Sequence, residues 1–234
     1  MSMDLNIIFE DNHIIVAEKP AGVLSQAGSL DLNDMLTEIK KYIKKKYQKP
    51  GNVYLGLVHR LDTNVGGVMV FAKTSKAASR LSEDIRNLDF DKNYLAVVNG
   101  VLPVNNSIEL VDYLIKDEVN KIAIISEPDI GKKSVLKFKV LANENELSLI
   151  EIELETGRFH QIRAQLANYG YPIYNDGKYG KFNQGFDLGL YAYKISFNHP
   201  TLRTRVEYKI FPKKGVFNKF IEKIDFMEVS KWRF

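Results

Sequence analysis

The sequence contains no cysteine among its 234 residues. Disulfide bonds and cysteine-based zinc sites are therefore excluded, and the composition fits a reducing compartment. No apolar run is long enough to suggest a membrane span, and the first residues lack the basic-then-apolar pattern of a secretory signal. We therefore expect a protein of the cytoplasm with no membrane partner.

The sequence also has little net charge. The 33 lysine and arginine residues and the 29 aspartate and glutamate residues give a formal net charge of +4. A surface that binds a polyanion must therefore come from the placement of basic residues and not from bulk charge. The four histidines show no metal-ligand spacing, and no glycine-rich phosphate loop is present, so the residues indicate no metal site.

Short apolar segments separated by polar turns predict a sheet of mainly antiparallel strands. The predicted strands cover residues 6–10, 13–18, 68–74, 92–100, 107–116, 121–126, 133–140, 147–155, 190–198 and 205–211, and the predicted helices cover residues 31–47, 75–87 and 156–169. Asp31 or Asn33 is the expected cap of the first helix, and Thr156 that of the third. The predicted fold class is α+β, with a long mixed, mainly antiparallel sheet flanked by helices.

Charged residues interrupt the apolar pattern in the segment VHRLDTNVGG, residues 58–67. If residues 55–62 are extended, Arg60 and Asp62 lie on the same face, about 6 to 7 Å apart. One interpretation is structural: Asp62 opens a turn that Gly66 and Gly67 complete. The alternative is that Asp62 is a functional carboxylate, and these residues alone do not decide between the two.

A second polar concentration lies in ETGRFHQIRAQL, residues 155–166. Arg158 falls in the first turn of the predicted helix, where the helix dipole disfavours a cation by about 0.3 to 1 kcal/mol. Together with His160 and Gln161, Arg163 makes a polar face that is dense in hydrogen-bond donors. Two interpretations remain open, namely a surface helix with two arginines and a site for a phosphate or carboxylate.

The predicted helix 31–47 also carries many lysines beside its apolar stripe. They are Lys40, Lys41, Lys44, Lys45 and Lys46. A run of this kind is typical of a solvated face, and contact with a nucleic acid is the alternative.

Five segments, in this order, resemble the RluA-type family of RNA pseudouridine synthases. They are IIFEDNHIIVAEKPAGVLSQ, LVHRLDTNVGGVMVFAKT, KNYLAVVNG, ETGRFHQIRAQLANYGYPIYNDGKYG and LYAYKISFNHP, which together span about residues 5–211. The resemblance implies the pseudouridine synthase catalytic fold with a central cleft, as a single domain over residues 1–234 in which residues 213–234 are a C-terminal extension. It also implies a monomeric enzyme, an isomerase acting on uridines of ribosomal or transfer RNA without a cofactor or a metal.

The resemblance assigns roles to individual residues. Asp62 corresponds to the catalytic carboxylate, Arg163 to its partner, and Tyr94 to the aromatic residue that stacks on the target base. Tyr94 is also a candidate for removing the C5 proton, although a tyrosine at this position could equally be a packing ring. Arg60 corresponds to the residue that fills the space left by the extruded uridine. The residues expected to contact RNA are His59, Arg60, Arg158, Lys41, Lys44 and Lys45.

The chain departs from the pattern of the family in two places. Val65 and Gly66 stand where many members have Thr and Ser, and Phe159 stands where Thr is usual. These changes affect local rigidity and substrate fit, and they remove no acid, base or arginine. Because few residues precede the first strand, we expect no N-terminal RNA-binding domain, so that the catalytic domain itself holds the RNA.

Two other functions remain as alternatives to the isomerase. One is a noncatalytic RNA-binding or assembly factor that keeps the fold. The other is a hydrolase of the glycosidic bond, which would release free uracil.

Overall fold

The computed structural model describes residues 3–27, 34–180 and 187–229. The chain divides into two compact units, the first built from the described parts of Met1–Asp91 and Lys194–Ile210, and the second from those of Lys92–Tyr193 and Phe211–Phe234. The described strands belong to a mainly antiparallel sheet of eleven strands accompanied by helices, which confirms the predicted α+β class. The single catalytic domain over residues 1–234, with residues 213–234 as an extension, stays a prediction.

The elements follow one another closely along the chain. They are β1 (Ile7–Glu10), β2 (Ile14–Lys19), α1 (Met35–Lys46), β3 (Gly56–Leu57), β4 (Gly66–Ala72), α2 (Ser75–Arg86), β5 (Asp91–Asn99), β6 (Ser107–Asp117), β7 (Ile122–Ser126), β8 (Lys132–Glu144), β9 (Leu147–Leu154), α3 (Gln161–Asn168), β10 (Leu190–Asn198), β11 (Arg205–Lys209), a short 3-10 helix (Gly215–Phe220) and α4 (Ile221–Val229).

The first unit is organised around strand β4. The strand order is β1-β2-β4-β10, with β11 paired to β10 and β3 paired to β4. Strands β2 and β4 are antiparallel, and their register runs from Ile14 opposite Ala72 to Lys19 opposite Gly67. Alternate apolar residues of these strands pack against α2 and β10, because one face of each strand points to the core. The buried residues of this core are Ile14, Val16, Val68, Val70, Ala72, Ala77, Leu81, Phe90, Ile195 and Phe197.

The second unit is a run of antiparallel strands in the order β5-β9-β8-β6-β7. Its main core contains residues of β5, β9 and β10 together with apolar side chains from the C-terminal segment. Val216, Phe217, Phe220 and Ile224 of that segment are all buried there. Helix α3 contributes Ala164 to a smaller cluster with Leu114 and Ala123.

Two predicted helix starts are wrong. Helix α1 begins at Met35, and its cap is Asp34, whose carboxylate accepts from the backbone nitrogen of Thr37 at 3.0 Å. The predicted caps Asp31 and Asn33 lie outside the described residues. Helix α3 begins at Gln161 and not at residue 156, so Thr156 does not cap it.

The hydrogen bonds of Thr156 explain the late start of α3. Its hydroxyl bonds to the side-chain oxygen of Gln161 at 2.8 Å and accepts from the backbone nitrogen of Val135 at 2.9 Å. A side chain that is occupied in this way cannot cap the backbone of the next turn. Arg158 therefore precedes the helix and does not lie in its first turn as predicted.

The segment around VHRLDTNVGG is paired in the sheet on both sides of the Asp62 turn. Within residues 55–62, Gly56–Leu57 pairs with β4. Gly66 and Gly67 begin β4 and do not complete the turn. Gly67 has a φ of 136°, which a residue with a side chain rarely adopts.

Candidate functional site

The turn that carries Asp62 is closed by the backbone. The nitrogen of Val65 donates to the carbonyl of Asp62 at 3.0 Å, which confirms the predicted turn. Just before the turn, the hydroxyl of Ser25 holds the backbone of Leu61. The Leu61 nitrogen donates to this hydroxyl at 3.1 Å, and the Leu61 carbonyl accepts from it at 2.9 Å. The Asp62 side chain is half-buried, so a well-ordered backbone presents a partly accessible carboxylate.

A buried lysine lies under this turn. Lys19 is fully buried, and its ammonium group donates to the carbonyls of Pro20 at 3.0 Å, Val23 at 2.6 Å and Thr63 at 2.9 Å. Burial lowers the pKa of Lys19 to about 8, and the negative charge of Asp62 opposes this shift. Lys19 thus joins the end of β2 to the loop of Asp62 and places a positive charge close to that carboxylate.

The sequence reasoning assigned no role to Lys19. One available signal was its position at the end of an apolar strand, directly before Pro20. Lysine is rarely buried without partners for its charge. Here those partners are carbonyl oxygens from two separate loops, which the sequence does not display.

We expect the wild type to become more stable relative to a Lys19→Met variant as the pH rises from about 8 to 10.5. Below this window Lys19 is charged in both the folded and the unfolded state, and its desolvation on folding lowers the free energy of unfolding. Within the window the unfolded chain binds more protons than the folded chain, so the free energy of unfolding increases with pH. The change approaches about 3 kcal/mol and is measurable by urea denaturation below, within and above the window.

A Lys41→Met variant provides the control for this titration, because the Lys41 side chain is 64% exposed in the same unit. Its stability should follow that of the wild type at every pH in the series. Parallel curves for the wild type and Lys19→Met would show that Lys19 titrates normally, contrary to the expectation.

His59 and Arg60, which precede Asp62, have different environments. The Nε2 atom of His59 accepts from the backbone nitrogen of Val70 at 3.1 Å, and its ring lies 5.4 Å from that of Phe90, between centroids. His59 therefore helps to hold this segment against β4, while its contact with RNA stays a prediction. Arg60 is exposed, and its entry into the RNA stack stays a prediction.

A surface cavity of about 280 Å³ lies beside these two residues. Its lining residues are Gln26, Leu57, Val58, His59 and Arg60. His59 and Arg60 shortly precede Asp62 in the sequence. The cavity therefore offers a nucleotide polar side chains and a guanidinium group.

In the second unit, Arg163 forms a buried ion pair. Its Nε and Nη2 atoms donate to the two carboxylate oxygens of Asp176 at 2.7 and 2.8 Å, and both residues are buried. Burial raises the pKa of Asp176, but the hydrogen bonds and charge of Arg163 outweigh it and hold that pKa below its usual value. The remaining Nη1 atom of Arg163 lies 3.0 Å from Nε2 of His160.

Asp176 is a further residue that the sequence reasoning missed. It lies in the quoted segment YNDGKYG, thirteen positions after Arg163. Its carboxylate also accepts from the backbone nitrogens of Lys178 at 3.0 Å and Tyr179 at 3.3 Å, which fixes the loop. Asp176 therefore positions the guanidinium group of Arg163.

Tyr94 and Arg158 are the other predicted residues of the second unit. Tyr94 lies on β5 opposite Ile152 of β9 and is 7% exposed. Arg158 is exposed, and its Nε atom donates to the carbonyl of Lys133 at 3.3 Å. The structure thus places His59, Arg60 and Asp62 in one unit and Tyr94, Arg158 and Arg163 in the other.

The lysines of α1 differ in how far their charge is compensated. Lys41 pairs with Glu38 at 2.7 Å, whereas Lys44 and Lys45 are exposed in the last turn of the helix. Lys46 pairs with Glu10 at 2.7 Å. The helix therefore presents less positive charge than its lysine count suggests.

Metal and membrane sites can be examined within the described ranges. Among those residues, no group of three or more His, Cys, Asp or Glu side chains could hold a metal ion. No helix of these ranges is both long enough and apolar enough to cross a membrane.

Comparison with known proteins gives matches over most of the chain. The family model described as RNA pseudouridylate synthase matches residues 13–168. The chain is 34% identical over 211 residues to ribosomal large subunit pseudouridine synthase C of Buchnera aphidicola, covering 86% of this chain and 64% of that protein. It is 30% identical over 219 residues to ribosomal large subunit pseudouridine synthase D of Zymomonas mobilis, covering 87% of this chain and 68% of that protein.

A solved structure has the same fold. Human RNA pseudouridylate synthase domain containing 4 superposes with a TM-score of 0.72 at 20% identity, covering 94% of this chain and 93% of that one. The similarity in fold extends beyond the residues that the family model matches.

Proposed function

Because the chain belongs to the RNA pseudouridylate synthase family, we propose that it isomerises uridine in RNA to pseudouridine. This membership confirms the resemblance seen in the sequence. The observation that carries the proposal is the Asp62 turn, which lies within the matched residues and is fixed by Lys19 and Ser25. The chain spans 64% and 68% of the two bacterial relatives, so activity and substrate are proposed for this chain.

The proposed reaction needs few groups. The bond between C1′ of the ribose and N1 of uracil breaks, the base turns, C5 joins C1′, and the C5 proton leaves while N1 gains one. We propose Asp62 as the carboxylate that opens this sequence, by adding to the ribose, by removing a sugar proton or by attacking the base. All three routes need a carboxylate that the protein holds in place, and the backbone turn and the contact of Lys19 with Thr63 do this for Asp62.

Three other residues complete the proposal. Tyr94 stacks on the base and is a candidate for removing the C5 proton, and Arg60 fills the space that the uridine leaves. Stacking on an aromatic ring stabilises the extruded base by about 1 to 3 kcal/mol, which offsets part of the cost of its extrusion. Arg163, held by Asp176, stabilises negative charge during the reaction; its pairing with Asp62 stays a prediction from the resemblance.

We propose ribosomal RNA of the large subunit as the substrate, because the two bacterial relatives carry that substrate in their names. Transfer RNA is the second candidate. Such a substrate would place the enzyme in the cytoplasm. We also propose that the enzyme is a monomer, because one chain carries Asp62, Tyr94 and Arg163. The test is to incubate the purified protein with total RNA from a deletion strain and to map pseudouridine. A map without any new site would exclude the activity, and a new site in transfer RNA alone would exclude the proposed substrate.

Helix α1 is proposed to contact the RNA through Lys41, Lys44 and Lys45. Reversal of all three to glutamate should weaken RNA binding and reduce the slope of log K against log salt by about 2, because each contact to single-stranded RNA contributes about 0.7. Titrations at several salt concentrations measure both quantities.

The control reverses Lys213, Lys214 and Lys219, which are exposed in the second unit and change the net charge equally. This variant should keep most of the salt dependence. Equal losses of RNA affinity in both triple variants would mean that the lysines of α1 contribute only through the net charge. Unchanged RNA binding in the α1 variant would show that these lysines only face solvent.

A further inference from the structure

An exposed aromatic ring precedes helix α3 in the second unit. Phe159 is 38% exposed, and its ring stacks on that of His160 with a centroid distance of 3.9 Å and an interplanar angle of 18°. The Nζ atom of Lys116 lies 5.1 Å from the centroid of the Phe159 ring. The ammonium group of Lys116 lies over this ring and also pairs with Glu118 at 2.6 Å, and this flexible lysine side chain can move aside for a nucleic acid base that stacks on the exposed part of the ring.

The support beneath this ring is rigid. His160 has a left-handed φ of 50°, which residues with a side chain adopt infrequently and usually where the surroundings impose it. Its Nδ1 atom lies 2.9 Å from the hydroxyl of Tyr179, and its Nε2 atom lies 3.0 Å from Nη1 of Arg163. The ring of Phe159 therefore rests on a histidine that is fixed on both of its nitrogens.

Two cations beside this segment lack a carboxylate partner among the described residues. A Cβ atom on Gly157 would lie 3.2 Å from Nζ of Lys92, so the glycine leaves room for the ammonium group. Burial and the charge of Arg158 both lower the pKa of Lys92. Within these residues the guanidinium group of Arg158 donates only to the carbonyl of Lys133. Like charges gathered without a counterion favour an anion, and a phosphate would relieve their repulsion.

We propose that this surface is a nucleotide subsite, in which Phe159 stacks on the base of an unpaired nucleotide next to the target uridine while Lys92 and Arg158 bind its phosphates. The inference rests on the proposed function and names the form of RNA that the site accepts. A base within a duplex is already stacked, so the subsite selects single-stranded RNA. Because every base has an aromatic face, the subsite selects an unpaired nucleotide and not a particular base.

The test uses a uridine-rich single-stranded RNA with one 2-aminopurine, whose fluorescence falls when it stacks. Phe159→Ala and Phe159→Thr should each raise the Kd by about 5- to 100-fold and lose the quenching, while Phe159→Trp keeps both. Phe159→Ala should leave the salt dependence unchanged. Lys92→Gln and Arg158→Gln should each reduce its slope by about 0.7 and keep the quenching.

Phe226 provides a matched control in the same unit. It is 64% exposed, and Nζ of Lys223 lies 5.6 Å from its ring centroid, so Phe226→Ala removes a comparable pair of ring and cation. Its Kd should equal that of the wild type. An unchanged Kd for Phe159→Ala, or an equal loss on single-stranded and duplex RNA, would overturn the subsite. Absence of pseudouridine with the wild type would overturn the proposed function, and the binding assay reads the subsite independently of that result.

Discussion

An Asp62→Asn variant is expected to lose pseudouridine formation, with kcat/KM falling by at least about 1,000-fold. The amide has nearly the same shape as the carboxylate, but it can act neither as a nucleophile nor as a base. The turn should survive, because it is closed by the backbone bond from Val65 to the carbonyl of Asp62. Single-turnover assays on substrate RNA measure the loss, and thermal denaturation checks that the variant remains folded.

Asp84→Asn is the matched control for this substitution. Asp84 is a largely buried carboxylate on α2 in the same unit, and no step of the proposed reaction uses it. We expect its activity to stay within about twofold of the wild type, as for a substitution away from the site. If Asp62→Asn kept more than a tenth of the activity, Asp62 would not be the catalytic group.

The same assay separates the alternative functions. A noncatalytic RNA-binding factor would bind the RNA equally well before and after the Asp62→Asn substitution, and it would form no pseudouridine in either case. A hydrolase of the glycosidic bond would release free uracil and leave abasic sites. The isomerase keeps the base attached, because the bond from C1′ to N1 is exchanged for one from C1′ to C5.

The fold could largely be predicted, because most of its elements are encoded by local patterns. Alternating apolar residues predicted β2 and the strands from β6 to β9 to within a few residues. The predicted start of helix α3 failed because Thr156, a good capping residue, bonds instead to Gln161 and to Val135 on a neighbouring strand. A local rule cannot anticipate a partner that the fold brings from elsewhere in the chain.

The candidate site shows the same division between local and distant information. The turn at Asp62 follows from its neighbouring residues, since Asp and Asn favour turns. The contact of Lys19 with Thr63 joins residues 44 positions apart, and the pairing of Arg163 with Asp176 joins residues 13 positions apart. Neither spacing corresponds to a helical or strand period, so no periodicity could have predicted these positioning residues.

An Asp176→Asn variant is expected to lower the free energy of unfolding by about 3 to 5 kcal/mol, because it removes the carboxylate that accepts two hydrogen bonds from the buried, charged guanidinium group of Arg163. For a chain of this length the melting temperature should fall by about 6 to 20 °C. The low pKa of Asp176 stabilises the fold above the pKa of the unfolded carboxyl, and this contribution disappears as the pH falls through the folded value. The variant should therefore lose less stability than the wild type on acidification.

The exposed ion pair between Lys137 and Glu155, 2.6 Å apart in the same unit, provides the control. Glu155→Gln should cost about 1 kcal/mol or less, since water screens an exposed pair. A double variant, Arg163→Met with Asp176→Leu, removes both charges and should recover much of the stability lost in Asp176→Asn. Its activity should stay low, because Arg163 is proposed to act in the reaction. Recovery of activity together with stability would make the pair purely structural and would remove Arg163 from the proposed catalytic groups.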